Sequence, residues 1–391
     1  MAALRKLADR LDSITSFHVM VLMEQAQQLE QQGRDIIHLE VGEPDFPSPQ
    51  AVVAAGVRAM EAGQTRYTTA LGLPALREAI SGFYQSKFGI DVPAGQILIT
   101  PGASGAIGLL TALLFNAGDG VLLTDPGYPC NDNFLHQVGA RPQRIAVGAD
   151  TAYQLSAGLV RQHWQADTRA AWVASPSNPT GTVIPLAELA AIKQAVDARQ
   201  GALLVDEIYH CLVYDQDPVT ALSLPDEQDS LFVINSFSKY FNMTGWRLGW
   251  LVAPQQHVAD LEKLAQNYYL AAPTVAQYAA LAAFSEDTQA LYEDRRRIMG
   301  QRRDFLLEHL PELGISVPCR PQGAFYLYCD VSAITDNSFE FCQRLLHGCG
   351  VAVTPGLDFG AHQASRYIRI AYSASQERLQ EAIDRIATFI A

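Results

Sequence analysis

Between residues 96 and 252 the sequence returns again and again to short apolar runs: Gln96-Ile-Leu-Ile-Thr100, Gly120-Val-Leu-Leu-Thr124, Arg144-Ile-Ala-Val147, Ala171-Trp-Val-Ala174, Ala202-Leu-Leu-Val-Asp206, Leu231-Phe-Val-Ile-Asn235 and Leu248-Gly-Trp-Leu-Val252. The runs are nearly continuous rather than alternating, the mark of strands buried on both faces of a largely parallel sheet. Between them Leu186, Leu189, Ile192 and Val196 recur at helical spacing. The pattern predicts an α/β fold, a mostly parallel sheet of about seven strands with helices on both faces.

The style then changes. Residues 273–310 read as one or two long helices, Ala324–Cys329 and Tyr367–Tyr372 as half-exposed strands, and Leu379, Ile383, Ile386 and Ile390 as the buried face of a last helix. A chain of 391 residues exceeds one simple core. The expected division is a large domain over 46–290, a smaller α+β domain over 291–391, and an N-terminal segment, 1–45, packing with the small domain.

A formal charge of −13 excludes a general binder of nucleic acid or anionic membrane, which needs a basic face. A small anionic ligand can still be held by local cations and amides. No apolar run reaches the roughly 18 residues that span a bilayer. The early charges Arg5, Lys6, Asp9, Arg10 and Asp12 leave no signal-peptide core. The cysteines at 130, 211, 319, 329, 342 and 349 form no C-x-x-C pair and no disulfide framework, so a reduced, cytoplasmic protein without a metal centre is expected.

In open α/β sheets ligands sit beyond the carboxyl ends of the strands. The first run ends in Pro101-Gly-Ala-Ser-Gly-Ala106, a turn whose backbone N–H groups and Ser104 hydroxyl suit a phosphate at a helix N-terminus. The spacing is neither that of a dinucleotide fingerprint nor of a P-loop. The second ends in Asp125-Pro-Gly-Tyr-Pro129, whose Tyr128 can stack on a flat ring. The fourth ends in Ser175-Pro-Ser-Asn-Pro-Thr-Gly181, offering Asn178 as a donor. The fifth closes on Asp206-Glu-Ile-Tyr209, where a carboxylate at the end of an apolar run needs a partner. Taken singly, each also reads as a turn, a cap or an ordinary ion pair. The sixth carries Asn235-Ser-Phe-Ser-Lys239, followed by Thr244-Gly-Trp-Arg247. Of five lysines, Lys6, Lys87, Lys193 and Lys263 read as solvated surface, and only Lys239 follows a buried-type strand. A lysine desolvated there loses basicity and can form a Schiff base. Arg247, Ser236 and Ser238 can meet a phosphate.

These stretches, with Gly42-Glu-Pro-Asp-Phe46, Tyr67-Thr-Thr-Ala-Leu-Gly72 and Gly245-Trp-Arg-Leu-Gly249, resemble the class I/II aminotransferases, the aspartate-aminotransferase-like pyridoxal-phosphate (PLP) enzymes of fold type I. The resemblance runs in order from about residue 15 to the C-terminus. It implies that Lys239 holds PLP and moves the proton, that Asp206 faces the pyridine nitrogen, and that Asn178 and Tyr209 meet the phenolic oxygen. It implies that Tyr128 stacks on the ring, and that Ala103, Ser104, Ser236, Ser238 and Arg247 bind the phosphate with Tyr67 of a partner subunit. Arg369, in Arg366-Tyr-Ile-Arg369, would grip the substrate α-carboxylate beside the Gly42 backbone and Asn178. It also implies a cis bond at Asn178-Pro179.

The expected activity is amino-group exchange between an L-amino acid and a 2-oxo acid, in two half-reactions, by a homodimer with shared active sites. The same scaffold can carry C–S β-elimination. A non-catalytic PLP-sensing regulator is disfavoured by the intact set of Lys239, Asp206 and Arg369, and by the lack of room for a DNA-binding segment.

Overall fold

The computed structural model describes residues 7–14 and 16–390. Helix α1 (His18–Gln31) leads to β1 (Ile37–His38), α2 (Gln50–Glu61) and α3 (Pro74–Phe88). The expected runs then appear as β2 (Ile97–Thr100), β3 (Gly120–Asp125), β4 (Arg141–Ala146), β5 (Thr168–Ala174), β6 (Ala202–Asp206), β7 (Leu231–Ser236) and β8 (Gly249–Val252). Helices α4 (Gly102–Leu114), α5 (Cys130–Val138), α6 (Ala157–His163) and α7 (Leu186–Asp197) fill the connections from β2 to β6. After β8 come α8 (Val258–Tyr268), α9 (Thr274–Leu281), α10 (Glu286–His309), β9 (Tyr326–Asp330), α11 (Ser338–Cys349), β10 (Val351–Ala352), β11 (Thr354–Pro355), β12 (Tyr367–Ala371) and α12 (Gln376–Ile390).

The seven-stranded sheet runs in the order β2-β8-β7-β6-β5-β3-β4, with β8 antiparallel to both neighbours and the others parallel. Alternate side chains of each strand enter opposite layers. Leu203, Val205, Leu231 and Val233 join the layer that holds Ile80 of α3 and Ile192 of α7, whereas Leu204, Phe232 and Ile234 meet Leu110 of α4 and Leu261 of α8. Each fully buried aliphatic or aromatic side chain contributes about 1.5–3 kcal/mol relative to exposure. Continuous apolar runs are what such two-sided burial demands. Strand β4 departs from the expectation. It starts at Arg141 and is buried only on alternate residues, because it is the sheet edge, where Pro142 is also tolerated.

A second sheet, β11-β12-β9, is antiparallel and pairs Arg369 with Thr354 on one side and Tyr328 on the other. The half-exposed strands expected here are instead buried on both faces. Leu327, Cys329, Ile368 and Ile370 pack with Phe341 of α11 and Leu379 of α12. The opposite face carries Tyr328 and Tyr367, which close with Val147, Tyr153 and Phe359 into a separate apolar cluster. Helix α11 shows local design: the Asn337 side chain accepts from Glu340 N, Phe341, Cys342, Leu345 and Leu346 form its buried stripe, and left-handed Gly350 ends it. Strand β1 pairs in parallel with β10, and Ala371 N donates to Leu39 O, which carries residues 40–42 alongside β12. Asp358 accepts from His18 N at 2.6 Å and Val19 N at 2.8 Å, pinning the start of α1.

Lys193 corrects the reading of the lysines. It lies on α7 only 4% exposed, its Nζ 2.7 Å from Asp197, 2.8 Å from Asp226 and 3.0 Å from Ser230 Oγ. Two carboxylates satisfy the buried charge, so it is structural. Lys87 is partly buried against Glu293, and Lys263 is exposed as expected. Lys6 and Arg5 lie outside the described residues. Among the described residues no helix is long and apolar enough to cross a membrane.

Candidate active site

The carboxyl ends of β5, β6 and β7 face the Arg369 side of β12 across a cavity of about 270 Å³. Gly42, Tyr128, Asn178, Asp206, Tyr209, Lys239 and Arg369 all line it. Sequence separations of up to 327 residues, from Gly42 to Arg369, close here.

Lys239 follows β7. Its Nζ donates to Gly42 O at 2.5 Å and stands 5.9 Å from the ring centroids of Tyr209 and Phe325. Desolvation pulls its pKa down to about 8, with the positive charges of Arg369 and Arg247 helping and Glu43 opposing. Asp206 closes β6, with Oδ1 accepting from Ile208 N at 3.0 Å. Burial raises its pKa to about 6, while that hydrogen bond and the Lys239 charge hold it down. A carboxylate at this depth is suited to sharing a proton with a cationic nitrogen placed beside it.

Tyr209 Oη pairs with Tyr326 Oη at 2.8 Å. Tyr326 explains Gly42: a Cβ there would lie 2.5 Å from Tyr326 Oη, so only glycine lets the backbone pass. Arg369 is 5% exposed and sandwiched between Tyr326, 4.3 Å from its ring centroid, and Phe359, at 4.9 Å. Its Nη1 donates to Asn178 Oδ1 at 2.9 Å, and its Nη2 to Glu40 O at 2.6 Å and Thr354 Oγ1 at 3.3 Å. Its buried Nε has no protein acceptor. A guanidinium so fixed, with a free N–H, is prepared for an anionic ligand. The bond Asn178-Pro179 is cis, as are Asp125-Pro126 and Ser175-Pro176.

Beside the cavity is an anion cradle. Helix α4 begins at Gly102 with no side-chain cap, leaving the first N–H groups, including those of Ala103 and Ser104, directed outward. Gly102 has φ +68°, and a Cβ on it would fall 2.6 Å from Arg247 Nη2; one on Gly249 would fall 2.8 Å from Ala103 N. Both glycines therefore let β8 and Arg247 close against the helix end. Arg247 is itself left-handed at φ 54°. Ser236 Oγ and Ser238 Oγ are 3.0 Å apart at the end of β7. The cradle, the depressed lysine, the buried Asp206 and the unpartnered Arg369 N–H fit a phosphorylated pyridine aldehyde and a carboxylate substrate side by side.

Tyr67 is 80% exposed and does not line the cavity of its own chain. Sequence reasoning missed Glu40, Tyr326, Thr354, Asp358 and Phe359, together with Phe17, Val19, Met20 and Met23 around the start of α1. The aromatic run Phe325-Tyr-Leu-Tyr328 was legible as a strand, but nothing local marked Tyr326 as facing a site.

The family model for aminotransferase class I and II matches residues 34–386. The chain is 37% identical to a valine–pyruvate aminotransferase of Mycobacterium tuberculosis over 96% of its own length and 97% of that protein's. It is 36% identical to a (5-formylfuran-3-yl)methyl phosphate transaminase of Methanocaldococcus jannaschii, over 98% of this chain and 99% of the relative. Among solved structures, an aminotransferase from Mycobacterium tuberculosis superposes with a TM-score of 0.94, at 37% identity and 99% coverage of both chains. The aspartate aminotransferase of Thermus thermophilus with maleate gives a TM-score of 0.92 at 30% identity, covering 99% of this chain and 100% of that one. The chain belongs to the class I and II aminotransferases, and is a PLP-dependent enzyme that transfers amino groups.

Proposed function

We propose that this enzyme exchanges amino groups between an L-amino acid and a 2-oxo acid in the cavity between β5–β7 and β12. Lys239 is the attachment lysine and proton carrier, and Arg369 is the α-carboxylate clamp. The observation that carries the reading is the pairing in one cavity of a lysine desolvated to about pKa 8 with a buried arginine that retains a free N–H.

When bound, PLP supplies the electron sink that takes up the electron pair left as Cα loses its proton. The protein does the rest. The N-terminal N–H groups at Ala103 and Ser104, with Ser236, Ser238 and Arg247, hold the phosphate. Tyr128 covers the ring. Asp206 keeps the pyridine nitrogen protonated, and Asn178 and Tyr209 hydrogen-bond the phenolic oxygen. Arg369, held by Asn178 and the Glu40 carbonyl, fixes the substrate's rotation so that Cα–H stands in reach of the Lys239 amine. That amine, its basicity lowered by burial, takes the proton from Cα and would return it to the carbon on the other side of the transferred nitrogen.

The same reading places Tyr67 in the phosphate cradle of a partner subunit, which makes the working unit a homodimer. The high exposure of Tyr67, with that of Val57, Met60, Tyr268 and Leu270, supports a covered surface. It divides the chain into a large domain, 46–290, and a small one, 291–391, with the N-terminal segment, 1–45, packing with the small domain, and it locates the enzyme in cytoplasmic amino-acid metabolism. The test is a panel of amino acids against pyruvate and 2-oxoglutarate, following cofactor absorbance and product amino acid. Release of ammonia and pyruvate from a cysteine S-conjugate, without amino acid product, would assign the scaffold to C–S elimination instead.

A further inference from the structure

The substrate side chain must go where the cavity is not already committed, and the lining leaves one wall for it. Phe17 precedes α1, and Val19, Met20 and Met23 line the cavity from that helix. Val41 and Ile208 complete an apolar surface. The charged lining residues are Lys239, Arg369, Asp206, Glu40 and Asp358. Both cations are assigned, Lys239 to the amino group and Arg369 to the α-carboxylate. Among the described residues of this chain no third cation lines the cavity to receive a second carboxylate.

The apolar lining, with Asp358 beside it, makes the wall selective. Asp358 holds the start of α1 through two backbone N–H groups, whereas the charge of buried Glu40 is offset by His38, 2.7 Å away, whose pKa that contact raises to about 9. A distal carboxylate entering here would give up water and meet thioethers, aliphatic carbons and the Asp358 carboxylate, of its own sign. A branched, thioether or aromatic side chain would replace water on a surface of matching polarity. The methionines adapt to several shapes, so the selection is by polarity rather than by fine shape.

We infer that the enzyme is selective for amino donors with uncharged, apolar side chains, and for 2-oxo acids of the same kind, against dicarboxylates. Donor and acceptor share one cavity in a two-step exchange, so both are under this constraint. The inference rests on the assignment of Arg369 to the α-carboxylate. Its test separates the two.

Substrate mimics lacking the amino group are titrated into the holoenzyme by calorimetry: 4-methylpentanoate for leucine and glutarate for glutamate. In parallel, kcat/KM is measured for L-leucine, L-methionine, L-glutamate and L-aspartate. Tighter binding of 4-methylpentanoate, with kcat/KM for the apolar donors higher by at least about 30-fold, is expected, since one or two mismatched groups in a pocket are worth that much. Glutarate binding as well as 4-methylpentanoate, or glutamate turning over as well as leucine, overturns the inference. The variant Met20→Arg, at a half-exposed position where a new charge stays solvated, is expected to tighten glutarate by up to about 5-fold, the effect of one exposed pair. No change in glutarate affinity would mean this wall does not meet the ligand's far end. If the mimics separate as expected but no L-amino acid is converted, the aminotransfer reading fails and the selectivity of the cavity stands. If neither mimic binds and Arg369→Lys changes nothing, the clamp assignment fails first.

Discussion

Replacing Arg369 with lysine keeps the charge and removes the fork. Three of the five guanidinium N–H groups are occupied by Asn178, the Glu40 carbonyl and Thr354, and the plane lies between Tyr326 and Phe359. A lysine ammonium cannot reproduce that set, and it leaves Asn178 Oδ1 or the Glu40 carbonyl without its donor. Truncating one partner of a buried, hydrogen-bonded charge pair costs about 2–5 kcal/mol. At 1.36 kcal/mol per decade this is roughly 30- to several-thousand-fold in kcat/KM on an amino acid. The assay compares kcat/KM for one good amino acid with that for its decarboxylated amine, in both proteins, with cofactor absorbance confirming that PLP stays bound. The amine has no carboxylate to lose, so its rate, poor in both, is expected to change little. An equal loss on acid and amine would refute the clamp and show that Arg369 holds the β12 face together.

Four further outcomes are expected. Borohydride reduction and digestion should place the pyridoxyl group on Lys239 alone, and Lys239→Ala should lose both the label and activity; label on another lysine would contradict the assignment. Because the folded pKa of Lys239, about 8, lies below its ordinary 10.5, the unfolded chain holds more protons between those values. Stability of the apoprotein should therefore rise with pH in that window, and PLP capture should accelerate up to about pH 8 and then level; capture still climbing near pH 10 would mean a solvated amine. Gly42→Ala drives a Cβ to 2.5 Å from Tyr326 Oη and should cost about 1–3 kcal/mol of stability in a denaturant titration, with partial recovery in Gly42→Ala/Tyr326→Phe; an unchanged midpoint would show that the loop simply yields. Finally, activity should vanish on dilution into a proven monomer, and Tyr67→Phe should weaken PLP affinity while leaving Arg369-dependent selection intact; a fully active monomer would remove Tyr67 from the phosphate cradle.

The sequence alone determined the main sheet and marked the candidate residues at its carboxyl edge. Leu203-Leu-Val205 and Phe232-Val-Ile234 are apolar on every residue because helices cover both faces, and although one polar residue at the end of such a run reads equally as a turn, a cap or an ion pair, several such ends together mark a candidate site. Asp206, Asn178 and Lys239 were legible as candidates for that reason, and their roles, with that of Arg369, only through the family resemblance. What the sequence left open is set by distant contacts. Lys193 looked like a surface lysine, because nothing local shows Asp226 and Ser230 folding back onto α7. Strands β9 and β12 looked half-exposed, because their alternation records Tyr326 and Arg369, which face a cavity, and Tyr328 and Tyr367, which face an apolar cluster, none of them facing solvent. Gly42 was readable as a glycine near substrate, but the phenol of Tyr326 that forbids any other residue arrives from 284 positions away. The wall that selects the substrate side chain was not legible at all. An apolar stripe on α1 is the same in sequence whether it meets a core or a ligand, and only the docking of that helix onto Asp358, across from Lys239, makes it the second.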